Sequence, residues 1–179
     1  GDPAIVRDMF ADFRTAGAQV TVLAIGQWLA ANPSLAAMIR DAGHDLGNHT
    51  WSHQTMPRLS AAQIRSEVDR AAEELQKLTG SVGRWFRPSG TPASTPAIRD
   101  AAVAAGYGAC LAYDVDPMDY TDPGPDTVVR RFAADVRPGS IVSLHLGHPG
   151  TLQAMPKLLD VLRSKGLAAV TVTNLLEGA

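Results

Sequence analysis

Apolar positions along the chain follow two alternating rhythms. Val6, Met9, Phe10 and Phe13 stand at helical spacing, Gly17 closes that segment, and 19–25 then reads as a β-rich run. The order repeats with a helix opened by Asn32-Pro33 and carrying Leu35, Met38 and Ile39, which ends at Gly43 before a strand over 44–48. Ser60 caps a longer helix with Ile64, Val68, Ala71, Leu75 and Leu78 on one face, closed by Gly80. A short strand at 84–86, a helix over 95–105, a strand at 109–113, a helix over 125–136 and a strand at 141–144 follow. The last unit is a helix through Leu152, Met155, Leu158, Leu159 and Leu162, then a strand at 168–172. Alternation with nearly continuous apolar strands predicts an α/β fold, its parallel sheet covered by helices, as a barrel or a doubly wound sheet. Only 87–96 and 114–125 are rich in Pro and Gly without a period.

Composition narrows the class. With 179 residues, 45% of them hydrophobic and 19% charged, the chain is sized for one domain with a real core. A formal charge of −2 and scattered lysines (Lys77, Lys157, Lys165) give no basic patch for nucleic acid. No run of about 20 apolar residues marks a membrane span, and no signal peptide is seen. Cys110 stands alone, so no internal disulfide forms; its apolar run reads as a buried strand and its thiol as an inert core group.

Polar residues cluster where the predicted strands end. His49 and His53 follow 44–48, Arg87 follows 84–86, Asp114, Asp116 and Asp119 follow 109–113, and His145 follows 141–144. In a parallel barrel the strand C-terminal ends share one face, so such residues would converge there. A lone histidine is more often structural than a ligand. Two histidines four residues apart in Gly43-His44-Asp45-Leu46-Gly47-Asn48-His49-Thr50-Trp51-Ser52-His53 are a candidate pair of metal ligands. Asp2 before Pro3 reads as a helix N-cap, His148 as a loop residue and His44 as structural; Trp51 packs beneath the loop or stacks on a ligand.

That block, followed by Trp85-Phe86-Arg87-Pro88-Ser89-Gly90, by Asp116-Pro117-Met118-Asp119-Tyr120 and by Ser143-Leu144-His145, resembles the ordered motifs of the polysaccharide deacetylases. These are carbohydrate esterase family 4, the nodulation-protein-B-like domain. The resemblance covers nearly the whole chain and implies a distorted (β/α) barrel of about seven parallel strands. It implies metal-dependent removal of acetyl groups from N-acetylated, occasionally O-acetylated, sugars. The implied cofactor is a divalent metal held by His49 and His53, zinc ahead of cobalt, nickel or manganese, and the implied partner is an acetylated glycan. By the same resemblance His145 is the general acid, Asp119 keeps its imidazole oriented, and Arg87 holds the catalytic-base carboxylate. Gly90 would offer a backbone N–H to the oxyanion, Tyr120 and Leu144 would wall the acetyl methyl, and the Thr50 hydroxyl would steady the histidine loop. A secreted or cell-envelope location goes with this substrate class.

Residues 1–179 depart from the family pattern in one main place. Its opening strand, ending Thr-Phe-Asp-Asp-Gly and supplying the base and a third metal ligand, does not occur in them. The expectation is a single catalytic domain over 1–179 whose first strand and both aspartates lie upstream of Gly1. Tyr120 replaces the family's usual tryptophan, and Ser89-Gly90 its frequent Pro-Tyr. Two other readings stand beside the deacetylase: a non-catalytic carbohydrate-binding or scaffold domain, and an unrelated metal hydrolase drawing a ligand from Asp114 or Asp116. Which polymer is the substrate, and the oligomeric state, are not legible here.

Overall fold

The structure is a computed structural model that describes residues 1–178. Its elements in chain order are α1 (Pro3–Ala16), β1 (Thr21–Ala24), α2 (Gly26–Ala31), α3 (Pro33–Asp41), β2 (Asp45–Asn48), α4 (Ala61–Thr79), α5 (Pro96–Ala104), α6 (Pro125–Asp135), α7 (Pro149–Ser164) and α8 (Val172–Glu177). Short 3-10 turns cover Met56–Arg58 and Asp119–Thr121. Two compact units emerge, one formed by Thr21–Ala112 and the other by Gly1–Val20 with Tyr113–Ala179.

In the unit formed by Thr21–Ala112, β1 and β2 pair in parallel, Thr21 opposite Asp45 and Ala24 opposite Asn48. Parallel pairing continues through single-residue bridges from Asn48 to Phe86 and from Phe86 to Cys110. The predicted strands at 84–86 and 109–113 therefore shrink to one bridged residue each, and Cys110 is half-buried. Helix α4 packs against α5, α2 and α3. Its start is a reciprocal capping box of Ser60 and Gln63, and Gly80 ends it in the left-handed region. Ile64, Val68 and Ala72 of α4 join Met56, Phe86, Ile98 and Tyr107 in one apolar core.

The unit formed by Gly1–Val20 with Tyr113–Ala179 packs α7 against both α1 and α6. Asp2 caps α1 as expected, its carboxylate accepting the Ala4 N–H at 2.8 Å. Val115 and Val142 form a parallel bridge, with Ser143 N–H donating to the Val115 carbonyl at 2.9 Å. The predicted strand at 141–144 is thus a single bridge. The strand predicted at 168–172 does not form: Ala169 accepts one bond from Gln19 N–H, and Thr171 then caps α8 by accepting from Asn174 N–H. A good N-cap overrides the β-propensity of Val170 and Val172 there. The observed architecture is α/β with parallel strand pairing, and no described helix is long and apolar enough to cross a membrane.

Candidate active site

The residues singled out in the sequence fall into two groups, one in each unit. His49, His53, Arg87 and Gly90 belong to Thr21–Ala112; Asp119, Tyr120, Leu144 and His145 belong to the other unit.

The histidine loop leaves β2 at Asn48, a fully buried hub. Asn48 Nδ2 donates to the Val68 carbonyl and to Tyr107 Oη, both at 3.0 Å, and its Oδ1 accepts Thr50 N–H at 2.8 Å. Burial pushes the Tyr107 hydroxyl up to about 12, against the opposing effect of its bond from Asn48, so it stays protonated and donates to the Val82 carbonyl at 2.7 Å. Thr50 and His53 both sit at positive φ, 70° and 58°, which non-glycine residues rarely adopt. The conformation must therefore be imposed by surroundings. Thr50 Oγ1 donates to Ser89 Oγ at 3.0 Å, which ties the loop to residue 89. The Thr50 and Trp51 carbonyls accept Gly26 N–H and Gln27 N–H at 2.9 and 3.0 Å, so the loop caps α2 where Ile25 offers no capping side chain. Trp51 packs against Gly26, where an added Cβ would come within 2.5 Å of the indole, and Arg70 stacks over its ring at 4.3 Å.

His49 is buried, and its Nδ1 lies 2.8 Å from the Arg87 carbonyl oxygen. A carbonyl can only accept, so Nδ1 carries the proton and Nε2 keeps its lone pair. The His49 and His53 rings lie edge to face with centroids 4.9 Å apart. In their neutral form two imidazoles so placed, one with its tautomer set by a backbone carbonyl, would fit two positions of a divalent-metal site. No group of three or more His, Cys, Asp or Glu able to hold an ion occurs among the described residues. Arg87 also donates its N–H to the Asn48 carbonyl at 3.0 Å, so it orients His49 through its backbone. Gly90 has φ 66°, and a Cβ there would meet Thr55 Cα at 2.8 Å; close approach to the loop explains the glycine.

In the other unit Asp119 is 1% exposed and collects three donors. Oδ1 is 2.8 Å from His145 Nδ1, while Oδ2 accepts His145 N–H and Thr151 Oγ1, each at 2.7 Å. Burial alone would raise this carboxyl, but the bonds from the His145 side chain, the His145 backbone and Thr151 outweigh it and hold Asp119 below the ordinary carboxylate value. An ionised acceptor at Nδ1 leaves His145 Nε2 available for proton transfer. Tyr120 is 45% exposed with its ring edge-on to His145, centroids 5.0 Å apart, and Leu144 is half-buried. Met118 and Asp122, at φ 56° and 50°, flank the turn that presents Asp119. His148 is the N-cap residue of α7, 3.3 Å from Asp122 through Nδ1. Asp114 accepts Ile141 N–H at 2.7 Å and pairs with Arg137 at 2.9 Å, and Asp116 accepts Met118 N–H at 2.8 Å, so both carboxylates are engaged by protein groups.

His44 is buried before β2, and desolvation holds its imidazole below the ordinary value. Three side chains that organise these two groups, Asn48 and Glu67 in one unit and Thr151 in the other, were not singled out from sequence. Glu67 is the most surprising, an acid on the apolar face of α4 between Ile64 and Val68, and that break in the stripe was the available signal.

Comparison with known proteins places the chain in a family. The description of the polysaccharide deacetylase family matches residues 1–110. The chain belongs to the polysaccharide deacetylase family. A chitooligosaccharide deacetylase of Bradyrhizobium is 33% identical over 162 residues, covering 82% of this chain and 73% of the relative. A peptidoglycan-N-acetylglucosamine deacetylase of Bacillus cereus is 29% identical, covering 98% of this chain and 83% of the relative. The uncharacterized protein YlxY of Bacillus subtilis is 28% identical over 85% of this chain, which spans only 47% of that protein's length. Among solved structures, a family 4 carbohydrate esterase from Streptomyces lividans, determined with acetate, superposes with TM-score 0.86 at 28% identity, covering 94% of this chain and 86% of that one. A family 4 pseudoenzyme from Bacillus anthracis superposes with TM-score 0.88 at 26% identity, covering 97% and 60%.

Proposed function

We propose that residues 1–179 belong to one catalytic domain, that of a metal-dependent hydrolase that removes N-acetyl groups from N-acetylglucosamine-containing glycans of the peptidoglycan or chitin type. The names of the Bacillus cereus and Bradyrhizobium relatives support the substrate class, and a secreted or cell-envelope setting follows from it. The observation that carries the reading is the 2.8 Å contact between His49 Nδ1 and the Arg87 carbonyl, because it prepares one imidazole nitrogen as a ligand.

His49 and His53 would hold a divalent cation, zinc first, which when bound polarises the acetyl carbonyl and favours attack by water. Arg87 would orient the carboxylate that serves as base, the role its family position implies. His145 gives a proton from Nε2 to the departing amine while Asp119 grips Nδ1 and keeps the ring from turning. Gly90 would offer its N–H to the oxyanion, and Tyr120 and Leu144 would bound the space for the acetyl methyl. The distorted barrel of the family is the fold in which we place these roles.

The test is acetate release from short N-acetylglucosamine oligomers by zinc-loaded protein, with metal content read after dialysis. Turnover in wild type, and zinc lost from His49→Ala/His53→Ala, are the expected results. His145→Ala should keep its zinc yet turn over about 100-fold more slowly or worse. The second reading, a glycan-binding domain without catalysis, is favoured by likeness to the Bacillus anthracis pseudoenzyme. It predicts oligomer binding with no acetate released at any metal concentration.

A further inference from the structure

We propose that Glu67 is a positioning residue for His53, acting through the backbone and side chain of Ser52; the proposal rests on the deacetylase reading above. Glu67 is 6% exposed on α4, where its neighbours on the same face are Ile64, Val68 and Ala71. A carboxylate is disfavoured in such a place unless its oxygens are supplied with donors. They are: Oε2 accepts Ser52 N–H at 2.8 Å, Oε1 accepts Ser52 Oγ–H at 2.6 Å, and Gln54 Nε2 stands 3.4 Å from Oε1. Gln54 Nε2 also donates to Ser52 Oγ at 3.1 Å, closing a small network. The residues immediately before and after His53 are thereby tied to one buried group.

The position of this clamp gives it a purpose beyond packing. His53 lies at φ 58° between Ser52 and Gln54, a conformation that releases unless its flanks are held. Thr50 at φ 70° is held by Asn48 and Ser89, and Ser89 Oγ also donates to the Gln54 carbonyl at 2.5 Å, so Glu67 adds the hold on Ser52 that Ser89 does not supply. Arg70, three residues beyond Glu67 on α4, stacks on Trp51. Helix α4 therefore seats Trp51 through Arg70, and through Glu67 it reaches the residues on either side of His53. The chemistry also selects an acid. Ser52 presents two donors to one side chain, and only a carboxylate offers an acceptor oxygen to each; an amide replaces one with a donor, and an apolar residue of the kind found at Ile64 or Val68 satisfies neither.

The experiment measures zinc affinity by chelator competition, with thermal unfolding of the same apo samples. Wild type, Glu67→Ala, Glu67→Gln, Ser52→Ala and Ser52→Ala/Glu67→Ala are compared. Zinc affinity is expected to fall about 10- to 100-fold in Glu67→Ala, the usual cost of losing a group that orients a ligand. Glu67→Gln should recover part of the loss by keeping one acceptor. The double variant should bind zinc no more weakly than Glu67→Ala alone, because both changes cut one path. A folded Glu67→Ala with wild-type zinc affinity overturns the proposal, whatever its unfolding temperature. Should Glu67→Ala fail to fold, Ser52→Ala decides, and unchanged zinc affinity there overturns it equally. Zinc binding that is the same in wild type and in His49→Ala/His53→Ala is a different failure: it removes the metal site itself, and the role of Glu67 with it.

Discussion

The histidine loop over 49–53 and the Asp119–His145 pair solve the same problem, fixing an imidazole, by opposite means. Around the loop, control is spread over Asn48, Glu67, Ser89, Arg70 and the Arg87 carbonyl, none of which does the whole task. At the pair, one carboxylate takes the imidazole Nδ1, the His145 backbone N–H and the Thr151 hydroxyl together. Spread control tolerates the loss of a member and leaves a softened site that excess ligand can restore. Concentrated control has no such reserve, since one substitution strands several buried donors at once.

The largest effect is therefore expected at Asp119. Asp119→Ala leaves the His145 N–H, its Nδ1 and Thr151 Oγ1 without their acceptor, and should cost about 3 kcal/mol or more in urea unfolding. Turnover should fall by about 100-fold or more, because the imidazole is no longer held in one tautomer, and added zinc should not restore it. Zinc-dependent recovery of the rate would show that Asp119 serves the proposed metal loop rather than the proposed acid.

Asn48→Ala is the matching cut in the other region. It frees the Thr50 N–H and removes the donor to the Val68 carbonyl, while Tyr107 keeps its own bond to Val82. Destabilisation of about 2–4 kcal/mol is expected, by the loss of buried bonds and the void left behind. Zinc affinity should drop, yet turnover at saturating zinc should stay within about tenfold of wild type if the remaining clamps act as argued. Complete loss of activity at saturating zinc in folded protein would mean that control of the loop is as concentrated as at Asp119.

Legibility in the sequence followed the same division. The helices announced themselves through Pro33, Ser60 and Gly80, because caps and breakers are local chemistry, whereas the Asn32 side chain does not cap α3 and donates to the Trp28 carbonyl. The pairing of Asp119 with His145 and the spacing of His49 and His53 were also legible, through order and residue type matching a known family. Helix α2 was not, since six residues carry too little period and its first N–H groups are capped by carbonyls from residues 50 and 51. The strands were overread because apolar runs such as 109–113 signal burial, whereas a ladder needs a partner along several residues, and Cys110 has one for a single bridge. Asn48 sat in view within the motif, but an amide's role depends on Val68 and Tyr107, which lie 20 and 59 residues away in the chain.

The smallest expected effect separates the two regions by pH. His44 belongs to the unit of the histidine loop and its folded-state value is lowered by burial, so below the unfolded value of 6.5 the unfolded chain binds more protons. Its contribution is whole above 6.5, erodes as pH falls from there to the lowered folded value, and changes no further beneath it. Asp119 belongs to the other unit and is also lowered, from 3.8; its contribution is whole above that value and is lost only as pH falls through the depressed one. Urea midpoints of metal-free protein should therefore decline in two windows, a shallow one beginning near neutrality and a second in strong acid. His44→Gln should flatten the first and leave the second; Asp119→Asn should lower the midpoint everywhere above its window and flatten only the second. A first window that survives His44→Gln would assign the mild-acid loss to another histidine and remove this distinction between the regions.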